Sequence, residues 1–241
     1  MARVVTAETG GHTDRSALLR SVEAAGRAAA DAGADLLVFP QLTTVGYFPR
    51  GAARTRDHYN QSERGEAESL AAFRVAASAG PWVYASYYET LAEGVFYCRA
   101  VFVRPDGAIA GAYRQVHVDR RPGTWETFYL QPGRGGFQVV ETPIGSAGAL
   151  QGADALAPEA WRAISGADLA LVGLSEPADS LPDVLRQASA AAAANDVVVV
   201  IANRRGEEFG VAYPGGSTVF SPRGERLDGE QLETQLVLFE I

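Results

Sequence analysis

The chain alternates between strand-like and helix-like periodicity, and that alternation limits it to an α/β fold. Residues 3–7, RVVTA, read as a short strand. The stretch 14–34, DRSALLRSVEAAGRAAADAGA, has apolar residues at helical spacing, a polar N-cap region and a glycine stop at Gly33. DLLVFP, 35–40, is a buried strand ended by proline, which completes a β-α-β unit. A second helix over 62–80 leads to a strand over 82–89. A hairpin follows, 97–104 and 108–114, joined by the PDG turn at 105–107. Short strands are expected at 137–142 and 145–150, then a helix over 158–166 and a strand over 168–173. A helix over 181–196 and a strand over 197–203 repeat the unit; one strand with a PRG turn lies in 216–225 and a last strand in 235–241. The pattern predicts one α/β domain over 1–241, built of two layered halves with no linker, fixed-period repeat or low-complexity tail.

Composition excludes several functions. A chain of 241 residues buries enough apolar surface to fold without disulfides or metals. A net charge of −8 argues against nucleic acid or an anionic membrane as partner. The longest apolar runs, such as VVVVIA at 197–202, are too short to span a bilayer, and the opening MARVVTAETGG is too short and polar for a signal peptide. Cys98 is the single cysteine, so no intrachain disulfide can form, and a reducing cytoplasm is the expected location. All 21 basic residues are arginine. Any mechanism needing a lysine acid, base or Schiff base is excluded, because an arginine with a pKa above about 12 does not give up its proton.

Three stretches carry the reading further: GADLLVFPQLTTVGY at 33–47, PDGAIAGAYRQVHV at 105–118 and TPIGSAGALQGADALAPEAWRAISGADLALV at 142–172. NDVVVVIANRRG and GGSTVFSPRGE close the series. In this order and at this spacing, the chain resembles the nitrilase, or carbon–nitrogen hydrolase, superfamily over essentially its whole length. The resemblance implies a four-layer α-β-β-α sandwich of the nitrilase type, commonly paired into dimers. It also implies a chemistry in which a cysteine thiolate attacks an amide or nitrile carbon, a glutamate relays the proton and a lysine stabilises the oxyanion.

This sequence departs at all three positions. Gln41 stands at the glutamate position, Gln115 at the lysine position and Gly152 at the cysteine position, counted from Gly148 and checked against Asp154 and the Pro-Glu pair at 158–159. A register shift of one would place Gln151 there, which supplies no nucleophile either. Glu126 fits the place of a fourth family carboxylate that often positions substrate. The family's later Arg and Glu align with Ala191 and Ala194, while Asn195 is kept. Losing one member of a cooperating catalytic set removes most of the rate, and here nucleophile, base and oxyanion cation are all replaced. Exchanging glutamate and lysine together for neutral amides avoids the unpaired buried charge that a single exchange would leave, at a cost of roughly several kcal/mol. The expectation is a neutral pocket lined by Gln41, Tyr47, Gln115, Glu126, Gln151 and Gly152.

Other candidates have plainer explanations. Cys98 in FYCRAVFV reads better as a small buried strand residue than as a relocated nucleophile. His117 reads better as a loop-holding hydrogen-bonding residue than as a general base. Glu126 and Asp154 form a candidate acid–base pair; for Asp154 a backbone-anchoring role is favoured, and for Glu126 the two readings stand even. Tyr47 and Trp125 either line the pocket or pack. The glycine-rich stretch RPGTWETFYLQPGRGG is read as a loop with no following helix, hence not a phosphate cradle. No metal-ligand spacing and no cofactor motif is visible.

Three functions remain. The first is a non-hydrolytic homologue, a pseudoenzyme, that binds a small amide- or carboxylate-containing molecule or serves as a partner or scaffold subunit. The second is an enzyme of another class (lyase, cyclase or transferase) that uses Glu126. The third is an amidase by family assignment. A homodimer or homo-oligomer is what the resemblance implies.

Overall fold

Val4 and Val5 are neighbours in one strand, yet they face different cores, and this period-two alternation organises the molecule. The computed structural model describes residues 1–51, 54–65, 67–233 and 235–241. In chain order the elements are β1 (Arg3–Ala7), α1 (Arg15–Asp31), β2 (Leu36–Val38), α2 (Glu68–Ser78), β3 (Trp82–Ala92), β4 (Val95–Val103), β5 (Ile109–Arg114) and α3 (Glu126–Tyr129). They continue as β6 (Val139–Thr142), β7 (Gly145–Gln151), α4 (Pro158–Ala163), β8 (Leu169–Leu174), α5 (Leu181–Asn195), β9 (Val198–Asn203), β10 (Arg205–Glu208) and β11 (Val211–Pro214). β12 (Thr218–Phe220), β13 (Arg226–Leu227), β14 (Glu230–Glu233) and β15 (Leu236–Glu240) close the chain.

Two sheets result. One has the order β14-β15-β1-β2-β3-β4-β5 and the other β13-β12-β9-β8-β7-β6. Each has three parallel strands at its centre, β1-β2-β3 and β7-β8-β9, flanked by antiparallel partners. Val4, Leu36 and Val38 of the first sheet meet Leu169, Leu171 and Val200 of the second in a shared core. Val5, Leu37 and Phe39 point the other way and pack under α1 and α2, through Val22, Ala25, Ala29, Phe73 and Ala76. Ala170, Val172 and Ile201 likewise pack under α4 and α5, through Trp161, Val184 and Ala188. The fold is therefore the four-layer α-β-β-α sandwich expected from the sequence.

Local chemistry explains the helix boundaries. Asp14 caps α1 by accepting from the Ser16 and Ala17 amides at 3.3 and 3.1 Å, which satisfies two of the orphan N–H groups of its first turn. Gly33 adopts a φ of +67° just past the helix, where a left-handed residue ends it cheaply. α1 and α2 approach so closely that a Cβ on Gly26 would stand 2.7 Å from the Ala76 Cβ. The structure departs from the sequence reading in several places. The stretch 121–136, read as a loop, contains the short helix α3; the helix expected over 62–80 spans Glu68–Ser78; and the hairpin β10–β11 and the short strands β13 and β14 carry no sequence signal that the reading used. Among the described residues, no helix is long and apolar enough to cross a membrane.

Candidate functional site

Gln41, Gln115 and Gly152 come together at one end of the sandwich, beyond the carboxyl ends of the parallel strands, where sheets of this kind place their sites. Gln41 follows β2, Gln115 follows β5 directly, Gly152 follows β7, and Glu126 opens α3. Their side chains meet without an intervening group. The Gln41 Nε2 donates to Gln115 Oε1 and to Glu126 Oε1, both at 2.8 Å. The Gln115 Nε2 donates to Glu126 Oε2 at 3.0 Å and to the His117 carbonyl at 2.7 Å. The Tyr47 hydroxyl donates to Glu126 Oε1 at 2.5 Å, and the Asp119 amide donates to Glu126 Oε2 at 2.5 Å. Gln41, Gln115 and Glu126 are each only 1% exposed and Tyr47 is 3% exposed.

Glu126 is thus one buried carboxylate surrounded by four donors, none of them cationic. Burial pushes its pKa above the ordinary carboxylate value, while the hydrogen bonds from Asp119, Tyr47 and Gln41 pull it back down. Burial and the Glu126 charge together push the Tyr47 phenol well above its usual value, so Tyr47 stays a donor. This geometry can hold a carboxylate in place. It offers no thiol and no fixed positive charge at Gln115.

Gly152 closes the cluster from the second sheet. Its φ is +51°, and a Cβ built on it would lie 2.8 Å from the Gln41 Cδ and closer still to its Nε2. The Gln41 amide fills the space that a side chain at residue 152 would need. Gln151 does not join the cluster. It turns between the sheets, accepting from the Ser86 hydroxyl at 2.9 Å and donating to the Tyr84 hydroxyl at 2.9 Å.

Asp154 anchors backbone. It accepts from the Val116 amide at 3.2 Å and the His117 amide at 2.7 Å, and it contacts His117 Nδ1 at 2.9 Å and the Tyr113 hydroxyl at 3.2 Å. His117 spans Asp154 and Glu159, with its Nε2 3.0 Å from Glu159 Oε1, and it stacks on Phe137. The hydrogen bond to Asp154 raises the His117 pKa above 6.5. Cys98 lies buried on β4, and burial pushes its thiol far above the range in which thiolates form near neutrality. Trp125 is half-exposed under the Arg54 guanidinium, 4.8 Å from the ring centre. Asn195 bonds locally to the Ala191 carbonyl at 2.8 Å, at the end of α5 and away from the cluster.

Two supporting networks were not visible in the sequence. Arg204 and Glu208 are fully buried and paired through the Arg204 Nη1, 2.8 and 3.0 Å from the two Glu208 oxygens. The Arg204 Nη2 donates at 2.9 Å to the carbonyls of Gln41 and Leu42, and Leu42 is held at a φ of +50°. Glu208 accepts from the Tyr47 amide at 2.6 Å. Arg204 therefore fixes the corner that aims Gln41. Arg121 bridges Asp119 and Glu176, tying the loop after Gln115 to the segment after β8. Both networks join residues far apart in the chain, so only the four-residue spacing of Arg204 and Glu208 hinted at a pair, and on a hairpin that spacing is no helical signal.

Comparison with known proteins agrees with this architecture. The carbon-nitrogen hydrolase family model matches residues 2–241. A nitrilase of Pyrococcus abyssi is 32% identical over 213 residues, covering 87% of this chain and 77% of the relative. An N-carbamoylputrescine amidase of Solanum tuberosum is 29% identical over 244 residues, covering 93% and 81%. Among solved structures, a carbon-nitrogen hydrolase from Helicobacter pylori G27 superposes with a TM-score of 0.89 at 23% identity, over 98% of this chain and 88% of that one. An amidase from Nesterenkonia sp. AN1 superposes with a TM-score of 0.84 at 25% identity, over 100% and 93%; that structure is a glutamate-to-glutamine mutant carrying acrylamide at its active-site cysteine. The chain belongs to the carbon-nitrogen hydrolase family.

Proposed function

We propose that this family member has left thiolate chemistry and keeps the fold as a binding or partner subunit. The observation that carries the reading is the pairing of Gly152 with Gln41: residue 152 has no side chain, and the Gln41 amide occupies the space for one. The amidase neighbour is instructive, because its active-site cysteine takes up acrylamide although its glutamate has become glutamine. Glutamine at the glutamate position therefore leaves a cysteine able to attack, whereas a glycine at residue 152 removes the attacking atom. Gln115 removes the cation that would stabilise the oxyanion, and the chain has no lysine to replace it.

Within this reading, the hydrogen bond of 2.8 Å between Gln41 and Gln115 favours a partner or scaffold role over a ligand pocket. A small amide or carboxylate entering the cluster would have to break that bond. The raised pKa of buried Glu126 favours a second reading, an enzyme of another class that uses this carboxyl as an acid. The paired assembly common in the family belongs to the proposal as well; light scattering of the pure chain should give the mass of two copies.

The test is intact-mass spectrometry after incubation with acrylamide. The proposal expects an unmodified chain, since Cys98 is buried and protonated and residue 152 has no thiol. An adduct on Cys98, the single cysteine, would overturn it by showing a reactive thiolate in the folded chain. Turnover of any small-molecule substrate that Glu126→Gln abolishes would instead support the second reading.

A further inference from the structure

Arg99 on β4 and Arg114 on β5 are register partners, so two guanidinium groups stand side by side on one face of the first sheet. Like charges directly opposite one another in a sheet are unfavourable unless something offsets them. Glu89 does so in part: Arg99 Nη1 lies 2.6 Å and Arg114 Nε 2.5 Å from its two oxygens. One carboxylate between two guanidiniums leaves a net positive charge, on a chain whose overall charge is −8. Both arginines remain about one-third exposed, with side-chain values of 30% and 32%.

These two residues line a cavity of about 160 Å³ together with Ala112, Tyr113, Gly135, Gly136 and Gln138. Gly135 and Gly136 bring the glycine-rich loop to the same cavity. Gly136 has a φ of +73°, and a Cβ on Gly135 or Gly136 would meet nothing within 4 Å, so the backbone there borders open space. Among the described residues, neither the Gly135 nor the Gly136 amide donates to a backbone carbonyl. Two guanidiniums and two loop amides that donate to no backbone carbonyl therefore border one cavity. Successive backbone N–H groups with a left-handed residue form an anion-binding concavity, and the guanidinium fork matches the oxygens of an oxyanion. A carboxylate offers two oxygens, whereas a tetrahedral oxyanion offers enough to bond both guanidiniums and the loop amides together.

We propose that this cavity is a binding site for a phosphate-class oxyanion, either free phosphate or the phosphoryl group of a small phosphate monoester. The volume holds the oxyanion itself, and the body of an ester would lie outside, over the exposed loop. The site is separate from the Gln41–Gln115–Glu126 cluster but touches it through the backbone. The Gly133 amide donates to the Gln115 carbonyl at 2.7 Å, and Arg114 immediately precedes Gln115. This inference does not depend on whether the chain has hydrolytic activity.

Calorimetric titration with sodium phosphate at fixed ionic strength, with sodium acetate as the contrast, tests the proposal on the whole chain. Saturable binding is expected in the millimolar range, weakened about tenfold or more in Arg99→Gln through loss of one charge-assisted fork. Arg99→Lys, which keeps the charge without the fork, should fall between them. Arg226→Gln, at the far edge of the other sheet, should bind as the parent does. A nucleoside monophosphate that binds tighter than phosphate assigns the site to esters, and one that binds no tighter assigns it to free phosphate. Absence of saturable phosphate binding up to tens of millimolar would overturn the inference. So would equal affinity for acetate, or unchanged affinity in a folded Arg99→Gln variant.

Discussion

The Gln41 amide stands where a side chain on Gly152 would begin, with the Gln41 Cδ 2.8 Å from the position of a Cβ there. Gly152→Ala is therefore expected to lower stability by about 1–3 kcal/mol, since the added methyl overpacks a buried site and the residue holds a positive φ. Urea unfolding of the variant measures the loss. A companion Gln41→Ala exchange opens the space, so the double variant should lose less than the sum of the two single losses.

Glu126 accepts four hydrogen bonds, and Glu126→Gln turns one of its two oxygens into a donor that faces other donors. A loss of about 1–3 kcal/mol follows from the unsatisfied buried groups. The pH dependence adds a sign. The folded-state pKa of Glu126 is raised above its ordinary value of 4.5. Its contribution is fully present below about that value and is lost as the pH rises through the folded-state pKa. The gap in Tm between parent and variant should therefore narrow as the pH rises, and thermal unfolding across the acid range reads it.

Two histidines should titrate on opposite sides of their common reference. The Asp154 hydrogen bond raises His117 above 6.5, whereas burial lowers His58, which is stacked on Phe48 at 4.7 Å. Proton NMR of the ring hydrogens gives both midpoints. The stability supplied by the His117–Asp154 contact is complete below pH 6.5 and declines as the pH passes the raised His117 value. His117→Gln should flatten the stability curve in that window.

Arg204 and Glu208 make a buried pair that also carries the corner at Gln41 and Leu42. Arg204→Met leaves the Glu208 charge uncompensated and should cost about 3–5 kcal/mol. Arg204→Met combined with Glu208→Leu should recover much of that loss if charge burial dominates; failure to recover would assign the cost to the carbonyls of Gln41 and Leu42. Denaturant unfolding distinguishes the two.

The repeating β-α-β units were legible because each carries local signals: Asp14 before α1, Gly33 after it, and short apolar runs such as Leu36–Val38 for the buried strands. The hairpin β10–β11 was not, because RGEE and VAYP lack clean alternation and are held by tertiary contacts such as the Arg204–Glu208 pair. The short helix α3 was missed because four residues carry no period. At the site, family order placed Gln41, Gln115 and Gly152 together, but not how they meet. The hydrogen bond between Gln41 and Gln115 spans 74 positions, and the turn of Gln151 away from the cluster depends on Ser86 and Tyr84, on a strand of the other sheet.

The most direct test of the central claim is ammonia release by the purified chain from a panel of simple amides and nitriles. The account predicts release no faster than in buffer alone, at every pH between 5 and 9. Ammonia release above that background, persisting in a Cys98→Ala variant and scaling with protein concentration, would contradict it.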